Sequence, residues 1–232
     1  MKNEQAIEKQ DLLSATHLQV NSIFQTIQGE GPFTGHPAIF IRLAGCNLQC
    51  PKCDTEYTKR NLLQYDDIVK SAIGLATEGR NINLIVITGG EPLRQAIGRL
   101  VNELLSKDFK VQIETNGTLF VPSIMYRHPN LTIVCSPKTG KVNENLEPYI
   151  KAFKYVLSAD DYDLNDGLPN HALEHSCKKL YRPKNKKVPV YLQPIDSKNV
   201  EKYKVDLQAC IQNCQKFGYI LGTQLHKSIN VL

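Results

Sequence analysis

The sequence predicts an α/β chain: a partial (β/α) barrel of about six parallel strands with reduced helical cover. Three observations predict it. From residue 38 onward, short apolar runs alternate with helical patterns, which implies parallel pairing and right-handed crossovers. The runs are continuously apolar, as strands buried on both faces are. Two of them, at 112–116 and 131–135, have no long helical pattern between them, so the helical cover is incomplete.

The elements follow in order. Residues 1–17 lack periodicity and read as a disordered N-terminal extension, leaving 18–232 as a single domain. Leu18-Gln19-Val20-Asn21-Ser22-Ile23-Phe24 alternates apolar and polar, as a half-buried strand does. The glycines and proline of Gln28-Gly29-Glu30-Gly31-Pro32 mark a tight turn. Residues 38–43 are a buried strand leading into a cysteine loop. Residues 66–77 place Ile68, Ala72 and Leu75 on one helical face, with Gly79 as the stop. Leu84-Ile85-Val86-Ile87 is a strand ending at Thr88-Gly89-Gly90-Glu91-Pro92. Residues 94–107 form a second helix, with Ile97, Val101, Leu104 and Leu105 inward.

Val111-Gln112-Ile113 runs into Glu114-Thr115-Asn116-Gly117, and 131–135 ends at Ser136-Pro137-Lys138. Residues 153–157 and 188–192 are two further strands, and 200–217 is the last long helix. Between them, 158–187 carries Asp160, Asp161, Asp163 and Asp166, a helical stretch at 171–180, and the basic run Arg182-Pro183-Lys184-Asn185-Lys186-Lys187. That stretch reads as a solvated loop and, more weakly, as a docking patch for an acidic electron donor.

Composition narrows the class. Hydrophobic residues make up 41% and charged residues 22% of 232, as in a globular chain. No apolar run is long enough to span a membrane, and the first thirteen residues hold no secretory h-region. An odd count of seven cysteines with one tight cluster fits a reducing compartment, hence the cytoplasm, and a metal rather than disulfides. A net charge of +5 does not by itself suggest nucleic acid.

The chemistry centres on Gly45-Cys46-Asn47-Leu48-Gln49-Cys50-Pro51-Lys52-Cys53, where Cys46, Cys50 and Cys53 stand at spacing C-x3-C-x2-C. Three thiolates are one short of a closed zinc site, and one short of the four corners of a four-iron cluster. A cluster held here keeps one iron open, as a catalytic site requires. The bland alternative is zinc completed by a distant residue such as His36 or Cys135. The polar motifs all fall at the same ends of successive strands, where parallel α/β barrels carry their sites.

The cysteine loop, together with Gly89-Gly90-Glu91-Pro92 after an apolar strand, resembles the radical S-adenosylmethionine (SAM) enzymes. That resemblance implies a radical SAM core. The open iron of a 4Fe-4S cluster binds SAM, and one electron cleaves it to methionine and a 5′-deoxyadenosyl radical. Further stretches narrow the match: Phe24-Gln25-Thr26-Ile27-Gln28-Gly29-Glu30-Gly31, Phe40-Ile41-Arg42-Leu43-Ala44-Gly45-Cys46, Cys53-Asp54-Thr55, Ile113-Glu114-Thr115-Asn116-Gly117 and the tail Gln224-Leu225-His226-Lys227-Ser228-Ile229-Asn230. Together they resemble the 7-carboxy-7-deazaguanine synthases of queuosine and deazapurine biosynthesis. The tail differs from the usual pattern at Leu225 and Ser228.

The resemblance implies conversion of 6-carboxy-5,6,7,8-tetrahydropterin to 7-carboxy-7-deazaguanine with loss of ammonia, by a carbon–nitrogen lyase that also uses Mg2+. It implies that Cys46, Cys50 and Cys53 hold the cluster. Lys52, Asp54, Gly90, Ser136, Pro137, Lys138 and Gln193 would meet SAM. Ile27, Gln28, Gly29, Glu30, Arg42, Thr88 and Leu232 would meet the pterin, and Thr55 would give its hydroxyl to magnesium. A guanidinium such as Arg42 suits a carboxylate because it can bond both oxygens. The family is typically homodimeric and takes electrons from a donor such as flavodoxin. The rivals are another short radical SAM enzyme, such as a glycyl-radical activase, and a non-catalytic zinc-binding module.

Overall fold

The computed structural model describes residues 3–13, 16–53, 55–78, 82–174 and 179–231. Its strands are β1 (His17–Ile27), β2 (Pro37–Leu43), β3 (Asn61–Gln64), β4 (Leu84–Gly89), β5 (Lys110–Thr115), β6 (Leu131–Cys135), β7 (Ile150–Leu157), β8 (Val190–Pro194) and β9 (Ile220–Leu221). Its helices are α1 (Tyr65–Glu78), α2 (Gly98–Ser106), α3 (Val200–Phe217) and the short α4 (Leu225–Ser228). All nine strands join one open sheet in the order β3-β1-β2-β4-β5-β6-β7-β8-β9. β1 is antiparallel to both β2 and β3, and every pairing from β2 onward to β9 is parallel. The six parallel strands expected are present. The two-residue β9 is a seventh, too short to show a period.

The two faces of this sheet differ in chemistry because successive residues point to opposite sides. Ile41, Ile87, Ile113 and Ile133 stand in register across four strands and are all buried against the helices. Ile68 and Ala72 of α1, Leu100, Val101 and Leu104 of α2, and Ala209 and Cys210 of α3 complete that core. The inner face starts apolar: Ala38, Leu84 and Val86 pack with Phe33 and Phe40. Further along the same strands it turns polar, with Thr88 beside Arg42 and Gln112 beside Val86.

Helix α1 spans the expected range and carries Asp66 and Asp67 in its first turn, where acids suit the positive end of the helix dipole. Its expected stop, Gly79, lies outside the described residues. Helix α3 matches the expected 200–217, with Asn199 accepting from the Lys202 N–H at its start and Gly218 left-handed at its end. No long helix intervenes between β5 and β6, as the sequence implied. Helix α2 starts at Gly98 rather than 94. Residues Pro92–Arg94 form a 3-10 turn instead. The Arg94 and Gln95 side chains turn inward to bond the Ala44 carbonyl, and the Tyr65 hydroxyl takes the Ala96 carbonyl. Of the helical stretch expected at 171–180, residues 175–178 lie outside the described residues, and 172–174 form a bend and a turn.

Residues 3–13 of the N-terminal segment have a defined place in the structure. They run along the cysteine loop. Ile7 bridges Cys46 and Asp11 bridges Gln95, while Glu8 and Asp11 donate backbone N–H groups to Cys46 and Arg94. Side-chain amides do much of the holding, and they leave no periodic trace in a sequence. Arg182 and Lys184 of the basic run are also engaged within the chain, with Asp166 and Glu147.

Leu104 is fully buried between α2 and the sheet. Leu104→Ala is expected to lower unfolding free energy by about 2–5 kcal/mol, read by urea denaturation of the cluster-free protein.

Candidate active site

The cysteine loop follows β2 and is pinned from below by the glycine turn after β4. A Cβ on Gly90 would lie 2.1 Å from the Gly45 carbonyl oxygen, and one on Gly89 would lie 2.0 Å from that of Leu43. Only glycines let the two backbones approach so closely. Gly90 and Glu91 then donate their N–H groups to Leu43 and Gly45. The Glu91 side chain is wholly buried and accepts from the Leu93 N–H, the Thr115 hydroxyl and the Asn116 N–H. Burial pushes its carboxyl up to about 7, against those hydrogen bonds, which pull it down. Asn116 continues the link, donating to Asn47 of the loop (3.0 Å).

Cys46 and Cys50 are buried, and Cys53 is half-buried. Burial pushes Cys46 up to about 12 and Cys50 up to about 11, with Lys138 pulling the latter down. The Leu48 N–H points at the Cys46 sulfur (3.4 Å). Among the described residues no three His, Cys, Asp or Glu side chains gather round one point as the ligands of a single ion do. A cubane does not ask for that, since each of its thiolates meets a different iron. The residues named as a fourth zinc ligand lie elsewhere. Cys135 is buried in the core beneath Gly117, and His36 is exposed with its ring edge-on to Phe33. The donor set therefore fits a three-thiolate cluster.

Other expected SAM residues lie at the strand ends. Lys138 donates to the Ser136 hydroxyl (2.8 Å), and Ser136 is tied through its N–H to Thr115 at the end of β5. Gln193 is buried in β8, and its Oε1 has no hydrogen-bond partner among the described residues. An orphaned buried acceptor is costly, and a bound donor would satisfy it. The Lys52 side chain turns outward to Glu174, and its N–H donates to Leu173. Asp54 and Leu232 lie outside the described residues.

Of the expected pterin residues, Gln28, Glu30, Arg42 and Thr88 share the inner face, with partners that sequence reasoning missed. Because β1 is antiparallel, its last residues lie beside the start of β2, and the turn after it folds inward. Gln28 donates to Glu114 (2.8 Å), as does Gln112 (2.9 Å). Glu30 pairs with Lys154, whose ammonium also lies 3.6 Å from Glu114. Lys154 sits in the middle of β7 and is buried. Burial lowers its pKa, but the two carboxylates more than reverse that and raise it. Burial likewise opposes ionisation of Glu30, yet Lys154 holds its carboxyl down to about 2.

Arg42 lies over the Phe24 ring at 5.2 Å. The strand-end salt bridge that would have made it a structural residue is not among the ion pairs of the described residues. The Gln112 Oε1 on the same face is a second buried acceptor without a partner among the described residues. The tail closes this space. Gln224 donates to Glu30, and the Leu225 N–H donates to Gly29. The His226 ring occupies the room that a side chain at Gly29 would need.

Comparison with known proteins gives the arrangement its family. The radical SAM superfamily profile matches residues 40–131, which span the cysteine loop and the glycine turn. A 7-carboxy-7-deazaguanine synthase from Rickettsia prowazekii is 40% identical over 96% of this chain and 93% of its own. One from Rhodospirillum rubrum is 40% identical over 92% of each. The chain belongs to the 7-carboxy-7-deazaguanine synthase family.

The crystal structure of QueE from Escherichia coli is 26% identical and superposes with a TM-score of 0.66 over 90% of this chain and 95% of that one. Within this synthase family fold, Lys154, Glu114, Gln112 and His226 are the inner-face residues the sequence reading passed over. Lys154 had a legible signal: a lysine inside a buried parallel strand needs a carboxylate partner.

Two outcomes follow from the triad. Lys154→Met leaves Glu30 and Glu114 facing each other, and is expected to cost about 3–5 kcal/mol in denaturant unfolding. The Glu30 carboxyl is depressed below its ordinary 4.5, so the stability it adds is present above that pH and lost as pH falls toward about 2. In thermal melts, the advantage of wild type over Glu30→Gln should be constant above pH 4.5 and shrink below it.

Proposed function

We propose that this chain is a radical SAM enzyme that makes 7-carboxy-7-deazaguanine from 6-carboxy-5,6,7,8-tetrahydropterin, releasing ammonia, in queuosine biosynthesis. Family membership over almost the whole chain supports the superfamily and the reaction class. The observation that carries the substrate is the buried Glu30–Lys154–Glu114 array, closed by the tail and lying on the same face as Arg42. A pterin edge offers amino and ring N–H donors to carboxylates, and its carboxylate asks for a guanidinium.

In this reading Cys46, Cys50 and Cys53 hold a 4Fe-4S cluster. When bound, the cluster supplies one electron to SAM at its open iron. Gly90 and its neighbours lend backbone groups to the methionine end, and Gln193 offers its unpaired Oε1 to a donor on SAM. Ser136, Pro137 and Lys138 line the side of the site nearest Cys50, with Lys52 and Asp54 on the loop itself. Gln28, Glu30 and Thr88 orient the pterin ring, with the backbone of Ile27 and Gly29 beside them. Lys154 keeps Glu30 ionised, so that it accepts rather than donates, and holds Glu114 beside it at 3.6 Å. Arg42 fixes the carboxylate, and the family resemblance adds Leu232 as a further pterin contact.

Thr55 would offer its hydroxyl to Mg2+, with the substrate carboxylate and waters supplying the rest. Few protein ligands are normal for that ion, which would orient the substrate as a template and Lewis acid. The working form is a homodimer in the cytoplasm, reduced by a flavodoxin-like donor. Sedimentation showing a monomer at micromolar concentration would remove the dimer.

Anaerobically reconstituted protein with reductant, SAM, Mg2+ and 6-carboxytetrahydropterin is expected to form a deazaguanine product. Cys50→Ala should abolish SAM cleavage altogether. Arg42→Ala should raise the substrate KM by about 10–100-fold, the loss of one bidentate charged pair, with a smaller effect on kcat. Wild-type kinetics for Arg42→Ala would refute the substrate pose. Iron and SAM cleavage without a deazaguanine would keep the superfamily and discard the substrate.

A further inference from the structure

The segment ahead of β1 makes contacts that the proposed reaction does not use. Residues 44–60 contain no helix or strand among those described, so the cysteine loop has no ladder of its own to satisfy its backbone groups. Residues 3–8 supply partners instead. Glu8 donates its N–H to the Cys46 carbonyl (2.8 Å), and Asn3 donates to Pro51 (2.9 Å). The Asn3 side chain donates to the Cys50 carbonyl and to the Tyr57 hydroxyl, each at 3.1 Å.

Gln5 is placed most tellingly. Its Nε2 donates to the Thr55 carbonyl (2.9 Å), and its Oε1 accepts from the Tyr57 N–H (2.7 Å). One side-chain amide thus pairs with the backbone on both sides of Glu56, as a neighbouring strand would. Gln49 of the loop donates in turn to the Gln5 carbonyl (2.8 Å). The limb held in this way carries Cys53, whose sulfur lies 3.7 Å from the Thr55 carbonyl oxygen.

The same segment balances a charge. Arg94 is buried directly under the loop: a Cβ on Gly45 would lie 2.6 Å from its Nε. It donates to the Ala44 carbonyl and to Gln19, yet its Nε has no hydrogen-bond partner among the described residues. Glu8 reaches it at 3.2 Å and also pairs with Arg60. Glu8 is the only carboxylate paired with Arg94 among the described ion pairs.

We propose that residues 3–13 are a positioning strap for the cysteine loop, in which Gln5 fixes the limb bearing Cys53 and Thr55 and Glu8 balances the buried charge of Arg94. Neither residue touches a reacting atom. The proposal rests on the reading of the loop as a cluster site. Its rival is a tether that adds global stability and nothing local.

The test compares wild type, Gln5→Ala and Glu8→Gln. In the cluster-free protein, hydrogen–deuterium exchange at the Tyr57 amide should be about tenfold faster in Gln5→Ala, with the sheet amides unchanged. In reconstituted protein, Gln5→Ala should raise the apparent KM for Mg2+ with little change in kcat. Glu8→Gln should bind the same iron per chain but shift the cluster midpoint potential upward, because a buried cation has lost its counter-charge. A uniform drop in melting temperature, with Tyr57 exchange and midpoint potential unmoved, would overturn the proposal. If wild type took up no iron, the cluster reading would fall, while the exchange comparison would still judge the strap.

Discussion

One buried carboxylate holds the catalytic end of this barrel together. Glu91 sits in the turn after β4, and it is bonded to the cysteine loop, to the end of β5 and to Leu93 of its own turn. Its backbone joins Gly45, and its side chain joins the end of β5. The two glycines before it have no Cβ, which is what allows the turn to press onto the loop. Parallel strands bring their C-terminal ends to one rim, but the rim is only a row of separate loops until something ties them. A fully buried acid with three donors aimed at it is that tie, and its environment works against its charge. The positions of Cys46, of Asn116 and of the Ser136 to Lys138 segment all follow from it.

The inner face shows the opposite use of charge. Glu30 and Glu114 converge on Lys154 in a space with little water. Three charges grouped in this way cost desolvation that a hydrophobic plug would avoid. Nearer the start of the strands the same face is filled that way, by Phe33, Phe40 and Val86. The contrast between the two ends is therefore functional: the apolar end closes the barrel, and the polar end keeps acceptors pointed inward. Gln112 and Gln193 have carbonyl oxygens with no partner among the described residues on that face, a cost that stability alone does not explain.

The scaffold was legible because its signals are local. Continuous apolar runs mark β4, β6 and β8, and the cysteine spacing and glycine turn need only nine and two residues to be read. The parts that escaped depend on partners far away in sequence. Lys154 and Glu30 are 124 residues apart, and neither hints at the other. β3 is a mostly exposed edge strand with no apolar period. Residues 3–13 are held by amide side chains and isolated bridges, which periodicity cannot register. Arg94 and Gln95 read as the first turn of a helix because their inward bonds to Ala44 leave no local trace. The tail was recognisable as a motif, but its place against Gly29 was not.

That tail gives the open sheet an unusual seam. Everywhere else, neighbouring strands are joined by ladders of backbone hydrogen bonds. Where the residues after β9 return to the turn after β1, the join is made by the Leu225 N–H on Gly29, Gln224 on Glu30 and the packing of one imidazole. The helix behind them has four residues. Short, exposed elements with few contacts open at small free-energy cost, while ladders open only with the fold. The join between the tail and the turn after β1 is therefore the part of this face that opens at the least cost, without loosening a strand.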